Sequence, residues 1–220
     1  MTSQNKGPLS SIDPSYFATR YAPDPNRSRV WKAICEYLQP QVAPDSVVLD
    51  VGAGYCDFIN HIHAGRKYAL DRNPELSEYC APGVKFLCAE AGGPIDIPAL
   101  SVDVIFASNF LEHLSDRECS DLFDRFDTLL KKSGKIILIQ PNYPYCVREY
   151  WDDFTHVKAW SHVSLADYLV SRGYRILRME KRFIPFSFKS VLPKSYWLTR
   201  LYLHSFWRPL AKQMLIVAER

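Results

Sequence analysis

Short apolar runs alternate along the chain with segments whose apolar residues repeat at helical spacing. The apolar runs predict buried strands, and five of them fall at residues 46–51, 67–71, 84–88, 102–108 and 135–140. Helical spacing is clearest in four segments, at residues 26–38, 58–62, 115–132 and 164–172. Strands that alternate with helices of these lengths are typical of parallel βαβ units. The pattern therefore predicts an α/β fold with a doubly wound sheet.

Both ends of the chain depart from this alternation. Residues 1–12 are polar and are expected to be disordered, whereas residues 174–183 and 213–219 predict two final strands with a helix at 193–207 between them. We therefore divide the chain into an N-terminal tail and helical cap and a main domain that ends with a basic, aromatic insertion before the last strand. The boundaries are 1–40 for the cap, 41–220 for the domain and 182–212 for the insertion.

Composition argues against a metal site and against a membrane-spanning segment. The chain has 220 residues, of which 47% are hydrophobic, as expected for one globular domain. None of the six cysteines forms a CxxC pair, and no histidine cluster has metal-ligand spacing, so no metal site is predicted. The start is polar and no run of about 18 apolar residues is present. We therefore expect a cytoplasmic protein.

The segment VVLDVGAGYCDF, residues 47–58, carries the strongest chemical signal. A strand leads into Gly52-Ala53-Gly54, where glycines let the backbone approach a ligand closely, and a helix follows. Dinucleotide-binding folds have a third glycine where this chain has Asp57, whose carboxylate would repel a pyrophosphate. The turn therefore favours S-adenosylmethionine, which has no phosphate, over NAD or FAD.

Polar residues at the ends of the next three strands agree with that ligand. Asp71 ends the second strand, where a carboxylate can accept hydrogen bonds from two ribose hydroxyls, and Glu90 follows the third, where it can accept from an adenine amine. The fourth strand ends at Ser108 and Asn109. The carboxyl ends of parallel strands form the ligand-binding crevice of open α/β sheets.

With these motifs the sequence resembles the class I S-adenosylmethionine-dependent methyltransferases over residues 46–140. The resemblance implies a Rossmann-like sheet of seven strands, mostly parallel, with an antiparallel last strand. It also implies a cofactor site: Asp50, Gly52, Ala53 and Gly54 at the methionine end, Asp71 at the ribose, Arg72, Glu90 and Ala91 at the adenine, and Asn109 near the methionine. Cys56 departs from the pattern, since family members often have glycine there.

Methyl transfer to a hydroxyl also needs a base. In the segment 150–156, after the fifth strand, Asp153 and His156 are spaced to face one another, so His156 is a candidate base oriented by a carboxylate. The alternative is structural: an aspartate caps a short helix and His156 packs against Trp160. His113 follows Asn109 by four residues and is a further candidate.

Three segments, YFATRYAPDPNRSRVW, VGAGYCDFIN and YWDDFTHVKAWS, are similar to bacterial methyltransferases encoded beside enzymes of surface-glycan and lipid biosynthesis. That resemblance implies O-methylation of a sugar hydroxyl, a lipid-linked intermediate or another small acceptor. Two other functions stay open: a nicotinamide-dependent oxidoreductase on the same sheet, which Asp57 disfavours, and an S-adenosylmethionine-binding module without catalysis.

Charge is unevenly distributed. Seven Lys or Arg and no acidic residue lie between residues 181 and 218, interleaved with aromatics. This segment is interpreted either as an acceptor lid or packing element, or as a peripheral contact with an anionic membrane. Its content of Leu, Val and Pro disfavours nucleic acid as the partner.

Overall fold

The computed structural model describes residues 24–185 and 194–220. The predicted disorder of residues 1–12 and the middle of the insertion lie outside the described residues, as does the first residue of the predicted 193–207 helix. Within the described ranges, no helix is both long and apolar enough to cross a membrane.

Within residues 24–185 and 194–220, seven strands form one sheet in the order β3-β2-β1-β4-β5-β7-β6. Their bounds are β1 Val47–Val51, β2 Arg66–Asp71, β3 Val84–Cys88, β4 Val102–Ser108, β5 Leu130–Pro141, β6 Arg175–Glu180 and β7 Gln213–Glu219. The pairs among β1 to β5 are parallel, and β7 runs antiparallel to both β5 and β6. The predicted doubly wound sheet with an antiparallel last strand is confirmed.

Six α-helices accompany the strands in the described residues: α1 Pro25–Leu38, α2 Asp57–His61, α3 Asp116–Leu129, α4 Tyr143–Tyr150, α5 His162–Ser171 and α6 Tyr196–His204. Capping explains where two of them begin. The Asp24 side chain accepts a hydrogen bond from the Asn26 N–H before α1, and Ser115 with Glu118 forms the predicted capping box of α3.

Two sequence expectations need correction, and one helix was not predicted. The helix predicted over 115–132 ends at Leu129, because Leu130 already pairs with Val102 and begins β5. The strand predicted over 174–183 is limited to Arg175–Glu180. Helix α4 was not predicted, since its aromatic residues and its proline near the N-terminus hide the helical period.

The core consists of two apolar layers, one on each face of the sheet. On one face, residues of α3 and α5 such as Phe123 and Leu165 pack against the strands. On the other face, Trp31 of α1, Phe58 of α2 and Leu203 of α6 share a buried cluster. Helix α1 therefore packs into the same core as the sheet.

The strand order places a switch point at the centre of the sheet. From β1 the chain builds outward through β2 to β3, then returns to add β4 on the other side of β1. The loops that follow β1 and β4 therefore diverge and leave a crevice at the carboxyl ends of these strands.

Candidate active site

A pocket of about 480 Å³ lies in this crevice, within the usual range for small-molecule sites. All nine residues predicted for the cofactor site line it: Asp50, Gly52, Ala53, Gly54, Asp71, Arg72, Glu90, Ala91 and Asn109. His113 also lines the pocket. Sequence reasoning missed Arg27 and Trp31, which α1 contributes from outside the strand-end motifs, and Phe110.

The glycine-rich turn is bound to the end of the neighbouring strand. The backbone N–H groups of Gly52 and Ala53 both donate to the Leu70 carbonyl, at 2.9 and 3.1 Å. Gly52 has φ +66°, and a Cβ on it would lie 2.4 Å from a ring carbon of Phe110. Only glycine leaves this cradle open, which fits a ligand that approaches the backbone closely. Cys56, where the resemblance implies glycine, has φ +59°, a left-handed conformation that glycine adopts without strain.

Asp71 is fixed by the turn that it faces. Its Oδ2 accepts from the Gly54 N–H and its Oδ1 from the Asn73 N–H, each at 3.0 Å. A carboxylate oxygen has two lone pairs, so each oxygen can accept a further hydrogen bond. Asp71 can therefore hold a diol while remaining anchored to the loop.

Two further carboxylates lie deeper. Asp50 is buried, and loss of solvation raises the pKa of its carboxyl well above the usual range. Asp57 forms an ion pair with Arg27, at 2.8 Å between Nη2 and Oδ2. Burial nevertheless raises the pKa of Asp57, although Arg27 opposes the shift. From the sequence, we expected the Asp57 carboxylate to repel a pyrophosphate. Arg27 of α1 offsets that negative charge.

Asn109 leaves β4 in a left-handed conformation, with φ +48°. Its N–H donates to the Ile139 carbonyl at 2.9 Å, and its side-chain oxygen accepts from Gln213 Nε2 at 2.8 Å. The residue is therefore positioned by β5 and by the antiparallel strand β7. Gln213 had no distinguishing signal in the sequence.

The loop after α4 folds back against the end of β4. The hydroxyl of Thr155 donates to Asp153 Oδ1 at 2.6 Å and lies 2.9 Å from His113 Nδ1. Since the hydroxyl proton is used on Asp153, His113 Nδ1 is the donor to Thr155, and Nε2 is the basic nitrogen. Asp153 therefore orients His113 through Thr155, a link that sequence spacing did not suggest. Direct orientation of His156 by Asp153 stays a prediction.

His156 is buried next to this link. Its Nδ1 lies 2.7 Å from the Tyr150 carbonyl, which only accepts, so Nδ1 carries the proton and Nε2 is again the basic nitrogen. The rings of His113 and His156 are 4.9 Å apart between centroids. Burial, followed by the neighbouring His156, lowers the pKa of His113 to about 4. The two candidate bases thus form a pair of imidazoles, of which His113 reaches the pocket.

Glu112 completes this group, although the sequence did not single it out as a candidate. Its side chain is buried, and loss of solvation raises its carboxyl pKa to about 8. A carboxylate oxygen of Glu112 and a ring nitrogen of each histidine all lie within 4.8 Å of one another. Spacing along the chain gave no sign of this cluster, because His156 joins it only through the fold of the loop.

A family model described as "Methyltransferase domain" matches residues 49–138. No curated relative matches the chain. Among solved structures, an S-adenosylmethionine-dependent methyltransferase from Archaeoglobus fulgidus has a TM-score of 0.67 and 20% identity, over 94% of this chain and 98% of its own. Another from Aquifex aeolicus has a TM-score of 0.60 and 18% identity, over 95% and 98%.

A geranyl diphosphate methyltransferase, solved in complex with S-adenosylmethionine, has a TM-score of 0.61 and 14% identity, over 86% of this chain and 85% of its own. At these identities the solved structures establish the shared fold, and the family match adds the domain that carries the motifs at the ends of β1 and β4. Residues 49–138 thus match a methyltransferase domain, the whole fold is shared with S-adenosylmethionine-dependent methyltransferases, and the protein is an enzyme of this kind that uses S-adenosylmethionine.

Proposed function

We propose that the enzyme O-methylates a hydroxyl group of a sugar, a lipid-linked intermediate or another small acceptor. The observation that carries this proposal is the pair of imidazoles at 4.9 Å, one of which lines the pocket. A hydroxyl must lose its proton as its oxygen attacks a methyl group, and a neutral imidazole can take that proton. Sugar and lipid-linked acceptors rank first because the sequence resembles methyltransferases encoded beside enzymes of surface-glycan and lipid biosynthesis.

Each residue has a defined part in this proposal. S-adenosylmethionine supplies the electrophilic methyl group. The nine pocket residues hold the cofactor, with Asp71 accepting from the ribose hydroxyls. His156 does not line the pocket, but its ring centroid is 4.9 Å from that of His113, and its Nε2 takes the proton of an acceptor bound against His113 while the Tyr150 carbonyl holds its Nδ1–H. Asp153 and Thr155 fix the ring of His113, which positions the acceptor oxygen beside the reacting carbon.

A screen of nucleotide sugars and lipid-linked glycans with methyl-labelled cofactor tests the acceptor class. We expect the label in a methyl group bonded to an oxygen, as a methyl ether, in one class of acceptor. In His156→Gln the amide can still donate to the Tyr150 carbonyl but cannot act as a base, so turnover should fall roughly 10²–10⁴-fold. Affinity for S-adenosylhomocysteine, measured by calorimetry, should stay unchanged.

The exposed His63 gives a matched control, since His63→Gln should alter neither quantity. Near-normal turnover in His156→Gln would remove that residue from the chemistry. Label recovered only on nitrogen or carbon would refute O-methylation.

We also propose that the C-terminal insertion contacts an anionic membrane surface. Helix α6 leaves Trp197 and Leu201 about 70% exposed, and Phe206 and Trp207 are exposed beyond its end. Aromatic residues beside cations are typical of membrane interfaces. The cap at residues 1–40 and the insertion at 182–212 are then the parts of the chain that adapt the domain to its acceptor.

The charges available for this contact are fewer than the sequence count suggests. Lys194 pairs with Asp24, Arg208 with Glu180, and Lys212 with Glu149. Lys189 lies outside the described residues. Arg200 is exposed and rests against the Trp197 ring, 5.9 Å from its centroid, so this pair is the better target for mutation.

Sedimentation with vesicles of mixed neutral and anionic lipid tests the contact. Binding should rise with the anionic fraction, fall with salt, and weaken in Arg200→Gln and Trp197→Ser. Arg117, exposed on α3 on the other face of the sheet, provides the control Arg117→Gln. Protein that stays in the supernatant at low salt would show that the insertion is only part of the fold.

A further inference from the structure

Three side chains of metal-binding type meet beside the pocket: Glu112, His113 and His156. One carboxylate oxygen and one nitrogen from each ring lie within 4.8 Å of one another. Donors bound at about 2.0–2.2 Å to one ion are about 3–4 Å apart, so small side-chain rotations bring the three into a common shell. The distances therefore suit a single small cation.

An independent observation concerns Glu112. Its side chain is 1% exposed, and its Oε2 has no hydrogen-bond partner within the part of the chain that the structure describes. A buried carboxylate oxygen is stable only when a donor or a cation satisfies it. The unpartnered oxygen can therefore accept a hydrogen bond from a donor or bind a cation at this position.

His113 and His156 have the hydrogen-bonding pattern that is usual for metal-bound histidines. Nδ1 of His113 donates to Thr155, and Nδ1 of His156 donates to the Tyr150 carbonyl. Metal-bound histidines commonly use one nitrogen for the ion and donate the other N–H to a carbonyl or carboxylate network. Here that network continues from Thr155 to Asp153. Both Nε2 atoms are thereby set as lone-pair donors.

We propose that Glu112, His113 and His156 bind a divalent transition-metal ion, and that the acceptor hydroxyl completes its coordination. Two imidazoles and one carboxylate suit Zn²⁺ or Fe²⁺ better than Mg²⁺, which prefers oxygen ligands. His113 reaches the pocket wall, so the ion adjoins the place where the acceptor meets the cofactor.

This inference rests on the proposed O-methylation and changes one step of it. A hydroxyl bound to the ion loses its proton to solvent water more readily, because the cation stabilises the alkoxide. The alkoxide oxygen then forms the bond to the methyl carbon as the carbon–sulfur bond breaks. In the loaded protein the imidazoles act as ligands, and the ion replaces His156 as the group that activates the hydroxyl.

Metal binding must be measured directly, because lost turnover in His156→Gln is expected with or without an ion. Full-length protein is dialysed against a chelator and titrated with Zn²⁺ and with Co²⁺ by calorimetry. We expect one strong site per chain, with a Co²⁺ spectrum that lacks thiolate charge-transfer bands.

Loss of a second-sphere partner commonly costs about 10–100-fold in metal affinity. Thr155→Val should fall in that range, and Glu112→Gln, which removes a ligand, should lose at least about 100-fold. His63→Gln should bind metal like the parent protein. Retained affinity for S-adenosylhomocysteine and retained melting temperature in each variant show that the fold persists.

The outcomes separate the two proposals. Absence of Co²⁺ binding to the parent protein, or equal binding by Glu112→Gln, overturns the metal site. If metal-free protein forms the O-methylated product at the full rate, the metal site is also overturned, and the proposed O-methylation stands. Metal binding as expected, with no hydroxyl acceptor methylated in the screen, refutes the proposed function instead.

Discussion

Gly52→Ala is the most informative single change in the cofactor loop. Gly52 has φ +66°, and an added Cβ would lie 2.4 and 2.9 Å from two ring carbons of Phe110. The left-handed backbone costs an L-residue about 1–2 kcal/mol. Displacing a packed ring costs typically about 1–3 kcal/mol more. We therefore expect the free energy of unfolding to fall by about 2–5 kcal/mol.

The chain offers a matched control for the backbone part of this cost. Gly83 has φ +88°, and an added Cβ would meet nothing within 4 Å. Gly83→Ala should therefore lose only the backbone cost of about 1–2 kcal/mol. In a Phe110→Ala background the ring is gone, so Gly52→Ala should lose the same small amount there. The resulting coupling between positions 52 and 110 is about 1–3 kcal/mol.

Urea and thermal unfolding of the four variants measure these differences. For a chain of this size each kcal/mol shifts the melting temperature by about 2–4 °C. Calorimetry with S-adenosylhomocysteine should show weaker binding for Gly52→Ala and unchanged binding for Gly83→Ala. Equal destabilisation by the two glycine substitutions, or an effect of Gly52→Ala that is the same with and without Phe110, would refute the steric reasoning.

Three further predictions concern the acidic residues of the pocket. Asp71→Asn should weaken S-adenosylhomocysteine binding by about 1.5–3 kcal/mol, and unchanged affinity in calorimetry would remove Asp71 from the proposed ribose site. Burial raises the pKa of Asp50, so its ionised form destabilises the folded state. Asp50→Asn should therefore exceed the parent in stability as pH rises through the folded pKa and lose that excess on acidification; urea unfolding at several pH values checks the sign. Arg27→Met leaves the partly buried Asp57 carboxylate without its ion-pair partner and should cost about 1–3 kcal/mol, most of which Asp57→Asn in the same chain should restore in thermal melts.

The part of the pocket where we propose that the cofactor binds is predictable from sequence because its geometry is local. A glycine turn such as Gly52 to Gly54 must follow its own strand, and an acid such as Asp71 sits wherever β2 ends. Parallel strands bring their carboxyl ends to one edge of the sheet, so all these residues line one pocket once the strands are known. The predicted end of a helix was wrong where a strand follows it directly, as at Leu129 and Leu130.

The group of side chains where we propose that the acceptor binds depends on contacts between distant segments. His113 follows β4, whereas His156 lies in the loop after α4, and nothing in either segment specifies that their rings meet. Glu112 illustrates the difficulty, since a carboxylate beside a histidine in sequence is unremarkable until burial removes its solvent and leaves Oε2 without a donor among the described residues.

Charge behaves in the same way. The sequence determined that the segment 181–218 carries seven cations and no acid, but only the fold decided that Lys194, Arg208 and Lys212 are paired with acids from elsewhere in the chain. Periodicity and turn chemistry act within a few residues, so the sequence determined the sheet, the glycine turn and the cofactor. Ion pairs, burial and the His113–His156 cluster arise between segments far apart in the chain, and only the tertiary structure brought those groups within reach of one another.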